Sequence, residues 1–228
     1  MSPEDLQSFR LTLKLALVST TILLVIGTPL AWWIARSKRR ILRTLVDAAV
    51  SLPLVMPPSV LGFYLLVALG ANSPLAGLFE RMGLRTLAFT FPGLVIGVFI
   101  HSLPVVVRPL QAGFSAIDER VFEAAATLRA NRWDRFFTIA LPQAKAGFFA
   151  AAVLGCAHSI GAFGVVLMIG GNIPGKTRVL SIAIYEHVEM LEYHQAHLLA
   201  GILLGLSFVF LVAVQVVSRR IGAKAAVL

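Results

Sequence analysis

The chain contains a single cysteine, Cys156, and this residue lies within an apolar stretch. A lone cysteine excludes a disulfide within the chain and a metal centre built on several cysteines. The sequence also lacks the glycine-rich phosphate-binding loop of nucleotide hydrolases. We therefore expect no catalytic residue and no cofactor in this chain. A process driven by ATP would need a separate subunit to bind and hydrolyse the nucleotide.

Charged residues are scarce, at 14% of the chain against 58% hydrophobic residues, and the mean hydropathy is +0.85. A membrane-spanning helix needs about 20 apolar residues. Five runs approach or exceed this length: 12–35, 46–70, 89–110, 145–170 and 196–217. The first run is too long for a signal peptide and lacks a small-residue cleavage site, so we expect it to be retained. The predicted fold is all-α, with five transmembrane helices in one domain, residues 1–228.

The middle of these runs contains no Asp, Glu, Lys or Arg. Asp47 and Arg108 lie at predicted ends of their runs. Charges inside a membrane usually mark proton relays and ion-coupling sites. Their absence argues against a carrier driven by protons or sodium ions.

The basic residues divide unequally between the two sides of a five-span arrangement. The larger group comprises Arg36, Lys38, Arg39, Arg40, Arg43, Arg108, Arg120, Arg129, Arg132, Arg135, Lys145, Arg219, Arg220 and Lys224. The smaller group comprises Arg10, Lys14, Arg81, Arg85, Lys176 and Arg178. Because cytosolic loops are enriched in Lys and Arg, we expect an outer N-terminus, a cytosolic C-terminus and a cytosolic loop at 111–144. A bilayer explains the pI near 10.6, and no nucleic-acid partner is expected.

The loop at 111–144 has the pattern of two short amphipathic helices. Asp118, or Ser115 with Asp118 three residues on, can cap the first helix, and Asn131 can cap the second or take a left-handed conformation. The residue before a proline leaves the helical region, so the second helix should end near Leu141. The apolar face of the first helix is predicted to comprise Ile117, Val121, Ala124, Ala125 and Leu128. The second carries Trp133, Phe136 and Phe137, which need a covering partner. Either the membrane helices or another protein can supply it.

The sequence Glu123-Ala124-Ala125, followed at fixed spacing by Ile139, Leu141 and Pro142, resembles the signature loop of binding-protein-dependent ABC importer permeases. Arg129 stands where that family has glycine, which leaves the geometry of the turn open. The resemblance implies that the loop is a coupling helix that docks into a cleft on an ATPase subunit, with Glu123 meeting a basic group. The implied coupling residues are Glu123, Ala124, Ala125, Arg129, Trp133, Phe136, Ile139, Leu141 and Pro142.

Small polar residues mark the middle of three runs: Pro57-Pro58-Ser59, His101-Ser102 and His158-Ser159. Prolines break the helical hydrogen-bond ladder, and Ser59 can then cap a half-helix whose amides favour anions. A hinge or a packing kink explains the same residues equally simply. The predicted translocation path comprises Pro57, Pro58, Ser59, Ser102, His158 and Ser159.

The predicted outer loops are short. Residues 71–88 favour a surface helix carrying Leu75, Leu78, Phe79, Met82 and Leu84. Beyond the turn-rich segment 170–175, a helix carries Glu186, Glu189 and Glu192 at three-residue steps. This acidic row is either a solvated face or a docking surface. No acidic partner completes a metal site with His194 and His197, so no metal is expected.

A closer resemblance narrows the substrate. Residues 52–58 with Gly62, residues 172–178, and Arg132-Trp133 with 136–139 are similar to molybdate transporter permeases over nearly the whole chain. This implies a homodimer in the bacterial inner membrane, an ABC ATPase dimer in the cytosol and a soluble oxyanion-binding protein outside. Sulfate, thiosulfate and tungstate are alternative substrates. An anion channel, a secondary carrier and a membrane-embedded enzyme are alternatives of other classes.

One segment departs from the molybdate permease pattern, which typically reads Arg-Ser-Leu-Gly-Glu-Phe-Gly. This chain has His158 in place of the arginine and Ala162 in place of the glutamate. A basic and an acidic residue four apart on a helix can pair, and both members have changed together. Losing both avoids a lone charge in the membrane. The pair was either structural or part of the selectivity of the path.

Overall fold

The computed structural model describes residues 2–73, 76–77 and 86–225, and none of these is in a β-strand. The helices are α1 (Pro3–Arg36), α2 (Arg40–Val55), α3 (Pro58–Leu69), α4 (Phe91–Ser115), α5 (Glu119–Thr127), α6 (Arg132–Gln143), α7 (Lys145–Ile160), α8 (Gly164–Gly170), α9 (Leu180–Glu189) and α10 (Tyr193–Ala225). The prediction of an all-α protein is confirmed. The predicted surface helix that carries Leu75, Leu78, Phe79, Met82 and Leu84 lies outside the described residues.

Three helices are long and apolar enough to cross a membrane: α1, α4 and the Tyr193–Ala213 part of α10. Two further pairs of helices qualify only if each bent pair counts as one span, α2 with α3 and α6 with α7. The described residues therefore contain three to five candidate spans. The count of five stays a prediction.

The predicted run 46–70 consists of two helices rather than one. Helices α2 and α3 meet at a bend of 110°. Met56 has the extended ψ of 136° that a residue before proline prefers, and Pro58 begins α3. Ser59 does not cap α3, because the capping position is Pro57 and it has no side-chain bond.

The predicted run 145–170 is interrupted as well. Helix α7 ends at Ile160, and α8 begins at Gly164 after the irregular residue Phe163. A Cβ added to Gly164 would lie 3.1 Å from the Cβ of Pro58, so the start of α8 packs closely on the start of α3. The two interruptions therefore meet in space.

The core lies between α1, α4 and α7, which pack against one another. Leu23, Val106, Leu110 and Phe114 are completely buried in this cluster. Helices α4 and α7 approach closely, because a Cβ added to Gly147 would lie only 2.5 Å from the carbonyl oxygen of Pro109. A residue without a side chain is therefore required at position 147.

A polar cluster joins the beginning of α1 to α9. The two ring nitrogens of His187 lie 3.1 Å from an oxygen of Asp5 and 2.7 Å from an oxygen of Glu192. Arg178, which is buried, forms ion pairs at 2.8 Å with Glu4 and with Glu186.

Three glutamates in and just after α9 make contacts within the chain. Glu186 pairs with Arg178, Glu189 accepts a hydrogen bond from Tyr185 at 2.6 Å, and Glu192 contacts His187. The predicted continuous acidic row is therefore broken into separate intramolecular contacts. Helix α9 ends at Glu189, so Glu192 lies outside the helix that was predicted to carry all three glutamates.

The contacts of His187 make stability depend on pH. Burial disfavours the charged imidazolium, but hydrogen bonds to Asp5 and Glu192 outweigh it and raise the pKa of His187 above its ordinary value. This stabilisation is fully present below the unfolded-state pKa of about 6.5 and is lost as the pH rises through the folded-state value. We expect His187→Gln to lower the melting temperature more at pH 6 than at pH 9. An equal change at both pH values in thermal unfolding of the detergent-purified protein would contradict this assignment.

Candidate functional site: the α5–α6 hairpin and the cavity at the helix breaks

Side-chain caps fix the two helices of the predicted hairpin. Asp118 accepts a hydrogen bond from the backbone N–H of Arg120 at 2.9 Å at the start of α5. At the start of α6, Asn131 accepts from the N–H of Asp134, while the Asp134 carboxylate accepts from the N–H of Asn131. Both predicted caps are confirmed, since capping depends on a few neighbouring residues.

The turn between α5 and α6 places Arg129 in the left-handed region, with φ of 58°. The backbone N–H groups of Arg129 and Ala130 donate to the carbonyls of Ala126 and Ala125, both at 3.0 Å. These bonds hold the turn in a conformation that glycine adopts without strain and other residues do not. The geometry fits the glycine that the resemblance places at this position, and the turn forms here with arginine.

We expect Arg129→Gly to raise the free energy of unfolding by about 0.5–1 kcal/mol, because it removes left-handed strain at some cost in unfolded-state entropy. Thermal unfolding of the detergent-purified protein measures the change. The matched control is Ala130→Gly, which adds the same flexibility at a position without positive φ and should not stabilise. Equal shifts for the two variants would show that strain at Arg129 contributes nothing.

Helix α6 ends two residues beyond Leu141, and the expectation that Leu141 leaves the helical region is wrong. Leu141 is helical, with φ −63° and ψ −45°, and α6 continues through Pro142 to Gln143. The preceding section, Arg135–Ala140, is a π-helix. Its wider turn accommodates the ring and the missing N–H of the proline. The chain turns instead at Ala144, with a bend of 71° into α7.

The inner face of the hairpin packs on the ends of α1 and α4 through aromatic rings. Phe122 of α5 and Phe136 of α6 lie 5.7 and 5.6 Å from Trp32 of α1, measured between ring centroids. Phe114 of α4 lies 5.2 Å from the same ring. This cluster packs the hairpin against the apolar helices.

The predicted apolar face of α5 is only partly correct. Among its members, Ile117 and Ala125 are buried, whereas Ala124 and Leu128 are exposed. Phe122, which the prediction omitted, is the large buried residue of this helix. The sequence contained a signal for this: Phe122 is the only aromatic residue in a helix that also carries several alanines, and a residue of that kind is usually buried.

The outer face of the hairpin is apolar and uncovered. Leu128, Trp133 and Phe137 are 83%, 71% and 56% exposed. The rings of Trp133 and Phe137 stack, with centroids 6.1 Å apart and planes 19° apart. Glu123 and Ala124 are exposed on α5. The membrane helices therefore cover one set of aromatic residues and leave a second set available to another protein.

The other predicted coupling residues vary in exposure. Ala125 is buried, and Phe136 is half-buried in the aromatic cluster. Ile139 and Leu141 are half-buried, and Pro142 is exposed. Contact with a partner would therefore involve the exposed members Glu123, Ala124, Arg129, Trp133 and Pro142 directly, while the others shape the hairpin.

A cavity of about 500 Å³ lies where the two helix interruptions meet. Its lining comprises Pro58, Ser59, His101, Ala157, His158, Gly161, Ala162, Phe163 and Gly164. It contains no Asp, Glu, Lys or Arg. Of the predicted path residues, Pro58, Ser59 and His158 line this cavity.

The other predicted path residues lie elsewhere. Pro57 is exposed just before α3. Ser102 and Ser159 are buried, and the hydroxyl of Ser159 donates to the carbonyl of Gly155 at 2.7 Å. His101 lines the cavity although it was not among the predicted path residues, and its ring centroid is 4.8 Å from that of His158.

A family model described as the binding-protein-dependent transport system inner membrane component matches residues 27–223. The chain belongs to this family. The permease is therefore a multi-pass protein of the inner membrane and a transporter component, without a catalytic role of its own.

The permease is 55% identical to the molybdenum transport system permease protein ModB of Azotobacter vinelandii, over 98% of both chains. It is 34% identical to the protein of the same name in Escherichia coli K12, over 83% of this chain and 82% of that one. The sulfate transport system permease protein CysT of E. coli K12 is 30% identical, over 98% of this chain and 80% of its own.

Solved structures share the fold. A bacterial ABC transporter that imports the acidic polysaccharide alginate aligns with a TM-score of 0.80 at 18% identity, over 97% of the permease and 81% of that chain. The inward-facing MetNI methionine ABC transporter aligns with a TM-score of 0.73 at 18% identity, over 96% and 99%. At this identity they show that the permease has the fold of ABC importer permeases.

Proposed function

We propose that the permease is the membrane-spanning subunit of an ATP-driven importer of molybdate. The observation that carries this assignment is the 55% identity with ModB of Azotobacter vinelandii over essentially the full length of both chains. Sulfate is the second candidate, supported by 30% identity with a sulfate permease over 98% of this chain. Tungstate, which differs little from molybdate in size and charge, is a third candidate.

The outer face of the α5–α6 hairpin docks on a separate ABC ATPase dimer that binds and hydrolyses ATP. Two observations support this docking. Leu128, Trp133 and Phe137 form an uncovered apolar surface, and the opposite face of the hairpin packs against the membrane helices. Small residues such as Ala124 permit close approach of a partner. Movement of the ATPase would then reach α1 and α4 through the aromatic cluster around Trp32.

This hairpin lies in the cytosol, with the N-terminus outside and the C-terminus inside. Arg36, at the end of α1, forms an ion pair with Glu119 at the start of α5. The basic residues that follow, Lys38 to Arg43, therefore lie at the same end of the molecule as the hairpin. Clustered Lys and Arg beside a span favour the cytosolic side.

The working importer contains two copies of the permease and a soluble oxyanion-binding protein on the outer side. The cavity at the helix breaks is lined by residues of α3, α4, α7 and the connection to α8, and the described residues do not fully enclose it. Helix α3 exposes Phe63, Tyr64 and Val67, which a second copy can cover around a shared two-fold axis. Mass measurement of the detergent-purified complex tests this: one permease per two ATPases would contradict it.

The decisive experiment is transport by the complex reconstituted in proteoliposomes with its ATPase and binding protein. We expect uptake of molybdate that requires ATP and exceeds the uptake of sulfate at equal concentration. Preferential sulfate or tungstate uptake would assign the other oxyanion. Uptake without ATP or the ATPase would identify a channel or a secondary carrier and contradict the proposal.

A further inference from the structure

The cavity holds two histidines from different helices, His101 of α4 and His158 of α7. Their ring centroids are 4.8 Å apart and their planes differ by 32°. Nδ1 of His101 and Nε2 of His158 are enclosed and have no hydrogen-bond partner among the described residues. Two polar rings thus lie side by side in a cavity without Asp, Glu, Lys or Arg. One nitrogen of each ring makes no hydrogen bond to the described residues.

Packing alone does not account for this pair. A buried polar atom without a partner costs stability, and an apolar side chain of similar size would fill either position without that cost. Groups of this kind persist where a ligand or water completes their bonding. The surroundings of the pair therefore indicate which ligand it accepts.

The chemistry of the lining favours an anion with several acceptor oxygens. A neutral imidazole donates one N–H, and an imidazolium donates two. The hydroxyl of Ser59, a further lining residue, supplies another donor. Helix α3 begins at Pro58 without a side-chain cap, so the positive end of this helix adjoins the same space.

A metal ion is the other ligand that two imidazoles commonly bind. Protein metal sites generally need at least three protein ligands, and the cavity lining offers only the two histidines as strong ligands. Within the part of the chain that the structure describes, no group of three His, Cys, Asp or Glu side chains is placed to hold a metal. The lining residues are therefore suited to binding an anion and not a metal cation.

The geometry points to an oxyanion-binding subsite formed by His101 and His158 inside the permease, with Ser59 as a third donor. This inference rests on the proposed function and adds the residues that hold the anion in transit. The subsite contains no fixed cation, so it binds a tetrahedral dianion weakly. Weak binding suits a conduit, because an anion that is held tightly at mid-depth leaves slowly.

The test uses the complete reconstituted importer, with molybdate as the probe. Each histidine is replaced by leucine, singly and together, and by glutamine, which keeps an N–H donor. We expect His101→Leu with His158→Leu to lower the maximal uptake rate by about tenfold to a hundredfold, as the loss of hydrogen bonds to a charged ligand predicts. The single glutamine variants should keep most of the rate. The concentration for half-maximal uptake should stay within about twofold, because the soluble binding protein sets it.

The matched control is Cys156→Ala, on the same helix as His158 but not in the cavity lining. It should transport at the unaltered rate. Melting temperatures of all variants show whether the helices remain assembled, and the single leucine variants, which should each lower the rate, carry the test if the leucine pair does not fold. Unaltered uptake by the double leucine variant would overturn the subsite, as would equal loss in the glutamine and leucine variants.

The test of the histidine subsite and the test of the substrate assignment can fail independently. If the unmodified importer carries sulfate or tungstate instead of molybdate, the substrate assignment fails, and the same variants test the subsite with that oxyanion. If molybdate is imported but the histidine pair has no effect on rate, the subsite fails and the function stands.

Discussion

Replacing Ala124 by tryptophan is expected to abolish ATP-driven uptake while the membrane helices remain assembled. Ala124 is exposed on α5, whereas Phe122 and Ala125 hold that helix to the core. A large side chain therefore adds no strain inside the permease but keeps a docked ATPase at a distance. Uptake into proteoliposomes and co-purification of the ATPase measure the effect, and both should fall to the background level.

The control for this substitution is Ala124→Ser, which changes the side chain by one hydroxyl and should transport normally. Glu123→Lys, which reverses a charge on the same exposed side, should also prevent transport, whereas Glu123→Asp should retain it. Normal uptake and normal ATPase association in both Ala124→Trp and Glu123→Lys would show that this face does not couple to an ATPase.

Replacing Gly147 by leucine is expected to cost about 3 kcal/mol of folding free energy or more. Any Cβ at position 147 would lie 2.5 Å from the carbonyl oxygen of Pro109 and 3.2 Å from the Cα of Gly113. Both obstacles are backbone atoms, so α4 and α7 must separate to admit a side chain. Their separation would open the core that these helices form with α1.

Thermal unfolding and the yield of monodisperse protein in detergent measure this effect. Gly201→Leu is the matched control, because a Cβ at position 201 meets no atom within 4 Å and should change stability by about 0.5 kcal/mol or less. If Gly147→Leu melts like the unmodified protein, the close approach of α4 and α7 does not contribute to stability.

Features set by neighbouring residues were predictable from the sequence. Asp118 and Asn131 cap their helices as predicted, since a cap involves only a few consecutive residues. The interruption at Pro57-Pro58 was also readable, because proline removes a backbone donor wherever it stands. The 110° bend that follows was not, since its size depends on how α3 packs against α8.

Features that depend on which side of a helix faces the cavity were harder to predict from the sequence. Ser59 and Ser102 both sit in runs that are apolar all round, so no amphipathic pattern shows which side of the helix faces a cavity. The structure places Ser59 at the cavity and buries Ser102. The pairing of His101 with His158 joins two helices and leaves no trace in either segment alone. Helix α6 continued through Pro142 because a π-helical turn relieved the local penalty.

The polar cluster at the beginning of α1 also has a consequence for biosynthesis. Glu4 and Thr12 find their partners in Arg178 and in the N–H of Leu180, which the ribosome makes long after α1. At ordinary elongation rates this delay is on the order of ten seconds or more. During that time Glu4 and Thr12 lack these two partners from the last third of the chain. Chains released before Leu180 would therefore lack the contacts that join the beginning of α1 to α9.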